Sequence, residues 1–408
     1  MVNVIKKKVL CLIEHVDREQ QYIEILSQSL EICDIKIVSI PYFLFTPDYL
    51  SYDLIIVPFV PSCPSPFFSL VSNLLSANIA VLSLNWEQTL SKSAFSYRSK
   101  SFSLLSESKL QMCSWSDDFT KKLKKLGYDD GRIVKCKNYN SVILSRERLN
   151  YKINSRQVFL PMNYGWAFAD NSFISYRVAT GYSEKIAILY KNYSKKCFIS
   201  FIDQLNELAE KNPEYTFILR PHPGIKIEDC EHIGKEKFKN LPKNVKIQSS
   251  GDLNKTMLES CLLISSWSTL AFDKYLIGGN ALLFTPELRP EWLDVEWNNQ
   301  LTNLSCLNMS VERLIEKCSK ISLSSPNFYQ DILNIDQLFF QDKSVKTIKS
   351  RFLSFIKITY LRFRLALYNA KNIVLLVVSK TRLSSGSGFE KDFFYPNSNF
   401  THNKINKK

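Results

Sequence analysis

The sequence predicts an α/β protein of two doubly wound, Rossmann-like domains, and three observations carry that expectation. Short continuous apolar runs, as in strands covered on both faces, alternate with segments whose apolar residues recur at helical spacing. The alternation occurs twice, on either side of an aromatic stretch at 150–182, broken by Pro and Gly, that reads as the strand and loop leading into the second domain. The chain has 408 residues, 45% of them hydrophobic, which is more than one ordinary core holds and enough for two.

In the first half, 8–13 reads as the first strand. A helix follows over 19–32, with Tyr22, Ile23, Ile25, Leu26 and Leu30 on its apolar side. Strands are predicted at 34–40, 53–59, 79–84, 110–115 and 133–136, with helices at 67–75 and 117–126. The second helix is Lys-rich and stops at Gly127, a residue suited to the position after a helix end. In the second half, helices are expected at 199–209, 253–259, 269–277 and 311–317, and strands at 215–219, 245–247, 261–264 and 281–284. The domains implied are 1–180, 181–342, a basic amphipathic helix at 343–380, and a disordered tail at 381–408. The tail combines a Ser/Gly run with an Asn/Lys-rich end.

Composition narrows the partners. Ten cysteines are scattered without a Cys-x-x-Cys pair, and several sit inside apolar runs, which reads as free thiols in a reducing compartment. With four histidines and no tetrahedral ligand spacing, no metal site is expected. The basic run Lys6-Lys7-Lys8 leads into an apolar stretch that meets Glu14 within a few residues, so it reads as a strand and not a secretory signal. No run approaches the roughly 20 apolar residues of a membrane span. A cytoplasmic protein is expected. The net charge is +14, and 343–389 contains no acidic residue. Phosphorylated ligands and anionic lipid are the partners this charge favours. Nucleic acid is not expected, because the charge concentrates on one segment and no nucleic-acid motif accompanies it.

Two segments carry chemistry. Arg220-Pro221-His222-Pro223-Gly224 follows a predicted strand, so it falls at the carboxyl end of a parallel strand, where open α/β sheets bind ligands. The prolines restrict the backbone around one guanidinium, a planar fork for phosphate oxygens, and one imidazole able to donate a hydrogen bond or a proton. Ser265-Ser266-Trp267-Ser268-Thr269 joins the strand at 261–264 to the next helix. Hydroxyls and unused amides at a helix start bind anions. Asp273, one turn on, is placed to accept from ribose hydroxyls. Gly278-Gly279-Asn280 is a helix-ending turn.

On these motifs, 215–284 resembles the donor half of bacterial surface-carbohydrate biosynthesis glycosyltransferases of the GT-B fold, of the capsule and lipopolysaccharide kind. Sialyltransferase-like and Kdo-transferase-like families show a similar His-Pro motif and Ser/Thr-rich motif. Polyol-phosphate transferases of teichoic-acid synthesis show a comparable Arg-Pro-His-Pro pattern. The resemblance implies two domains facing a cleft and no bound cofactor beyond a nucleotide-sugar substrate. It also implies a saccharide or lipid-linked acceptor and a metal-independent reaction. Arg220, His222, Ser265, Ser266, Ser268, Thr269 and Asp273 are the implied donor-binding residues. Glu14-His15-Val16-Asp17-Arg18-Glu19 and Asn85-Trp86-Glu87-Gln88 resemble acceptor-side loops, making Glu87, His15 and Asp17 the candidates for the base and Trp86 a candidate to stack on a sugar. Asp129-Asp130-Gly131 spells the acidic motif of the sialyl-type enzymes but falls between a helix and a strand, and reads as a turn. The basic segment 343–371 is expected either to return to the first domain or to lie on the inner membrane face. The alternatives are a CDP-polyol phosphotransferase and a non-catalytic scaffold in polysaccharide assembly.

Overall fold

The computed structural model describes residues 6–13, 19–28, 30–39, 49–60, 66–88, 90, 92–179, 183–222, 225–266, 268–293, 301–318, 328–329, 331–338, 359–360 and 363. They form two compact units. The first holds the described residues up to Gln88, Arg98–Tyr139, and those from Phe328 onward. The second holds those within 89–97 and 140–325.

The first unit is a six-stranded parallel sheet in the order β2-β1-β3-β4-β5-β6. Its elements are β1 (Lys7–Ile13), α1 (Gln21–Gln28), β2 (Cys33–Ser39), β3 (Leu54–Val57), α2 (Pro66–Ser76), β4 (Ala80–Ser83), α3 (Lys92–Leu105), β5 (Leu110–Ser114), α4 (Asp117–Lys125) and β6 (Ile133–Lys135). Residues 9–13 and 54–57 are buried because both faces of the sheet are covered, which is why these strands read as unbroken apolar runs. Helix α4 shows how local sequence sets local structure. Ser116 caps it by accepting from the Phe119 amide at 3.3 Å, Asp117 and Asp118 occupy its first turn, and Lys122, Lys124 and Lys125 its last. Gly127 then takes φ +96°, as a chain leaving a helix requires. The Asp129-Asp130-Gly131 segment is the expected turn. Asp129 accepts from Arg132 N at 3.1 Å and Nε at 2.9 Å, and Asp130 from Lys124 at 2.8 Å.

The second unit begins with α5 (Tyr139–Glu147), most of which lies in it, and β7 (Asn154–Met162). It continues through α6 (Asn171–Ala179), α7 (Glu184–Lys211), β8 (Thr216–Pro221), α8 (Ile227–Lys239), β9 (Val245–Ile247), α9 (Leu253–Glu259), β10 (Ser260–Ser265), α10 (Thr269–Leu276), β11 (Ala281–Phe284), β12 (Asn303–Leu304) and α11 (Val311–Lys317). Its parallel sheet has the order β12-β11-β10-β7-β8-β9. The expected domain boundary at 180 is therefore corrected to Tyr139/Asn140. The 150–182 stretch contains a central strand: Val158 pairs with Phe217 of β8 on one side and Leu262 of β10 on the other. The expected end of this domain at 342 is also corrected, because 328–338, including α12 (Ile335–Leu338), belong to the first unit. There Tyr329 Oη donates to Asp117 at 2.7 Å, and Asp336 accepts from the Glu31 amide at 2.9 Å.

Three further differences have physical causes. Helix α7 runs 28 residues from Glu184, beyond the predicted 199–209, because its N-terminal half buries only Ala187, Ser194 and Cys197 and shows a weak apolar period. Helix α3 alternates Ser with bulky residues and offers no clean stripe. Helix α8 carries its apolar face among many charges. Of the basic segment at 343–380 only 359, 360 and 363 are described, and the 381–408 tail lies outside the described residues. Among the described residues no helix is long and apolar enough to cross a membrane, and no His, Cys, Asp and Glu side chains group as a metal site. All nine described cysteines are free, and all but Cys306 are buried.

The turn after β4 is built around Asn85, buried at φ +51°. Its side chain accepts from Ser83 Oγ at 2.8 Å and donates to the Cys113 carbonyl at 3.0 Å. Gln88 braces the same strand end, donating to Cys113 O at 3.1 Å and accepting from Trp115 N at 3.0 Å. A left-handed backbone costs roughly 1–2 kcal/mol for a residue without a local hydrogen bond. A lost buried hydrogen bond adds about 1 kcal/mol or more. Asn85→Ala is therefore expected to lower unfolding stability by about 2–4 kcal/mol, and Asn85→Gly by less, because glycine accepts positive φ. Denaturant titration of both variants checks this. Equal losses would assign the whole effect to the hydrogen bonds.

Candidate functional site

In the second unit the chain order reverses beside β7, since β8 extends the sheet on one flank and β10 on the other. Ligands of open α/β sheets bind at the carboxyl edge at such a reversal. The loops there begin at Asn163 after β7, His222 after β8 and Ser266 after β10. Both sequence motifs fall on this one edge.

Arg220, the last residue but one of β8, is half-buried. Its Nη2 donates to the Gly251 carbonyl at 2.7 Å, while Nη1 is shielded from solvent with no hydrogen-bond partner. Burial pushes the guanidinium below its ordinary pKa, and the nearby Asp252 carboxylate acts in the opposite sense. A cation held this way has one donor direction to spare for an anion. His222 is exposed. Its amide donates to Met162 O at 3.1 Å and its carbonyl accepts from Ile225 N at 2.8 Å, so its backbone is tied to the end of β7 and to Ile225.

The Ser/Thr segment divides its roles. Ser265 is buried and donates to the Pro161 carbonyl at 3.2 Å, tying β10 to β7. The Ser266 hydroxyl is buried against the Tyr164 hydroxyl. Ser268 caps α10 by accepting from the Leu270 amide at 3.2 Å. Thr269, the first helical residue, is exposed. So Thr269 and the start of α10 face outward, whereas the three serine hydroxyls hold the loop in shape. Asp273 is buried and accepts from Asn140 Nδ2 at 3.0 Å, an internal contact in place of the expected ribose.

Sequence reasoning missed two residues here. Tyr164, buried on the β7 loop, packs on Phe198 and Phe201 and holds Ser266, and burial raises its pKa. Arg289, on the loop after β11, donates to the Ser266 carbonyl at 2.7 Å. The signal for it was legible: Arg289-Pro290 repeats, after a strand, the Arg-Pro pair of 220–221.

In the first unit, Glu87 sits exposed at the tip of the Asn85 turn, ion-paired with Arg98 at 2.9 Å. Arg98 also lies 5.9 Å over the Phe59 ring. His15 and Asp17 lie outside the described residues. Trp86 does not present a face for a sugar: it is 5% exposed and packs edge-on against Tyr22 and Tyr139, with ring centroids 5.8 and 4.7 Å away. The expectation of sugar stacking is corrected accordingly, because the indole is needed to fill the core beneath the turn.

With the two sheets and their edges in place, the chain has the GT-B type of two-domain α/β fold. No protein-family model and no curated protein sequence matches it. Among solved structures, it is similar to S. aureus MnaA in complex with UDP, at 10% identity over 84% of this chain and 99% of that one, TM-score 0.54. It is also similar to UDP-GlcNAc 2-epimerase from Neisseria meningitidis bound to UDP-GlcNAc, at 12% identity over 76% and 89%, TM-score 0.47. A third is the wall teichoic acid polymerase TagF, at 12% identity over 88% and 90%, TM-score 0.44.

Helix α10 is anchored from beneath. Lys274 is buried, and its ammonium donates to the carbonyls of Met257 at 2.8 Å and Ser260 at 2.9 Å, at the carboxyl end of α9. Burial, and secondarily the charge of Arg148, lowers its pKa from 10.5 to about 8. Between these values the unfolded chain binds more protons than the folded one, so the contribution of this group to stability rises with pH across that window. Relative to Lys274→Met, which cannot titrate, the wild type is expected to gain roughly 3 kcal/mol from pH 8 to 10.5. Paired denaturation curves along that range check it, and a constant difference would show the lysine titrating normally.

Proposed function

We propose that this protein is a glycosyltransferase that transfers a sugar from a nucleotide-linked donor to a bacterial surface polysaccharide or lipid-linked acceptor. The carrying observation is the Arg220 guanidinium, its buried Nη1 unpartnered at the edge where the chain order reverses, with exposed His222 on the same strand end. The amides that open α10 beside Thr269 add the positive end of a helix dipole. Together they suit the phosphates of a nucleotide and the charge that develops on them as the sugar leaves. The GT-B fold is consistent with this reading. In the proposed reaction these groups stabilise the departing phosphate without a metal ion. Ser265, Ser266 and Ser268 shape the loop, and Asp273 steadies it through Asn140.

The base is assigned to the first unit, to Glu87, His15 or Asp17. For Glu87 the role requires that the carboxylate exchange Arg98 for the acceptor hydroxyl. The enzyme works in the cytoplasm, on the inner face of the membrane where the acceptor is lipid-linked.

The test is a thermal-shift panel of CMP, CDP, UDP, GDP and TDP on the wild type, Arg220→Ala and His222→Ala. A ligand confined to the folded state at 100-fold excess over Kd stabilises it by about 2.7 kcal/mol. One nucleotide is expected to raise the wild-type melting temperature and to lose most of that effect in both variants. CDP alone would move the reading to a polyol-phosphate donor, and no response at millimolar concentration would move it to a non-catalytic scaffold. Once a donor is known, Glu87→Gln is expected to lower kcat by about 10²–10⁴ with nucleotide binding unchanged if Glu87 is the base. Unchanged turnover would remove it.

A further inference from the structure

Each of the two sheets has two edges, and three of these four edge strands are very short. Among the described residues β6 and β9 have three residues each and β12 has two, whereas β2 has seven. Every residue of β2 pairs with β1 in unbroken parallel register, from Lys7↔Cys33 to Ile13↔Ser39. Among the described residues no strand pairs with its other side. Alternate backbone groups of an edge strand point away from its neighbour, so a row of N–H and C=O groups on β2 faces outward without a ladder partner. Proteins blunt such an edge by brevity, proline, a bulge or charge. β2 has only the last, one charge of each sign, Asp34 and Lys36, both exposed.

Two opposite charges at this spacing do not exclude every partner. Asp34 and Lys36 stand on one face of the strand, and Cys33, Ile35 and Ile37 on the other, the first buried and the isoleucines half-buried. A second copy of β2 can extend the sheet in antiparallel sense about a two-fold axis. The axis must pass through a residue position, because a slip of one residue turns every side chain to the wrong face. An axis at Asp34 sets the two aspartates directly opposite each other, and one at Lys36 does the same to the lysines, and both pairings are destabilising. An axis at Cys33 or Ile37 sets both charges opposite apolar residues. With the axis at Ile35, each Asp34 opposes the Lys36 of the other copy, Ile35 opposes Ile35, and Cys33 opposes Ile37. Only this register satisfies charge on one face and apolar contact on the other. Asp336 takes the amides of Glu31 and Ile32 at 2.9 and 3.5 Å, which bounds the free edge at that end and leaves 33–37 for the pairing.

We infer that two copies of this chain associate through β2, joining their first-unit sheets in antiparallel sense about a two-fold axis at Ile35. Association there is independent of the candidate donor site, since it uses no residue of the second unit and is measured without nucleotide.

The experiment is sedimentation equilibrium of the full chain over a range of concentrations. Wild type is compared with Asp34→Lys, with Lys36→Asp, and with the exchange Asp34→Lys/Lys36→Asp. Both side chains are exposed, so the variants are expected to fold, and an unchanged far-ultraviolet circular dichroism spectrum verifies it. The wild type should be a dimer. By symmetry each single substitution turns two opposed ion pairs into two like-charge pairs, so the dimer Kd should rise roughly tenfold or more. The exchange restores opposite charges and should return Kd to near the wild-type value. Ile35→Cys checks the register, because it sets two introduced thiols opposite each other within disulfide reach. Oxidation should then link the dimer covalently well above the level of the wild type, whose Cys306 is exposed. A monomeric wild type overturns the inference. So does a dimer indifferent to the single substitutions, one that the exchange fails to restore, or one that Ile35→Cys fails to link.

Discussion

The second unit depends on where β7 lies. This strand enters the sheet first and is then flanked by β8 on one side and β10 on the other, so it is buried edge to edge as well as face to face. Val158, Phe159 and Leu160 have no exposed surface, and burying each such side chain contributes about 1.5–3 kcal/mol. The consequence is geometric. Two motifs some forty residues apart in the chain end on the two strands that flank β7, and the loop after β7 supplies Tyr164 to fix the one after β10.

The loops at this edge are held by polar contacts that reach backbone atoms. Ser265 bonds Pro161 O, Arg289 bonds Ser266 O, and Arg220 bonds Gly251 O. Each such bond satisfies a carbonyl that the ladder or helix leaves over. Removing a partner would strand it at the cost of a buried unmade bond. This explains why so polar a loop is so well buried, and why most of its hydroxyls are not available to a ligand. Arg220 differs, since only one arm of its fork is used.

The first unit places its polar network differently. Asn85 and Gln88 bind the end of β5 from beneath, Trp86 fills the core, and Glu87 alone is lifted to the surface. An exposed carboxylate on a rigid turn is a sound position for a group that must meet a substrate, and Arg98 shows how readily it takes a cationic partner.

By itself the sequence determined the α/β class, the number of sheets, the core strands other than β7 and β12, and the strand ends on which the motifs sit. These follow from local periodicity and composition, which neighbouring residues carry among themselves. The turn at 129–131 was legible for the same reason. The domain boundary was not, because the run at 158–162 is as apolar as any strand and only its pairing with Phe217 and Leu262 says which sheet owns it. Nor were the roles of Ser266 and Asp273, whose partners Tyr164 and Asn140 lie 102 and 133 residues away. Trp86 shows the same limit: an aromatic after a strand end can face a ligand or a core, and only tertiary packing places Tyr22 and Tyr139 against it. Local sequence sets what a segment can form, and long-range packing decides which of its polar groups are left for chemistry.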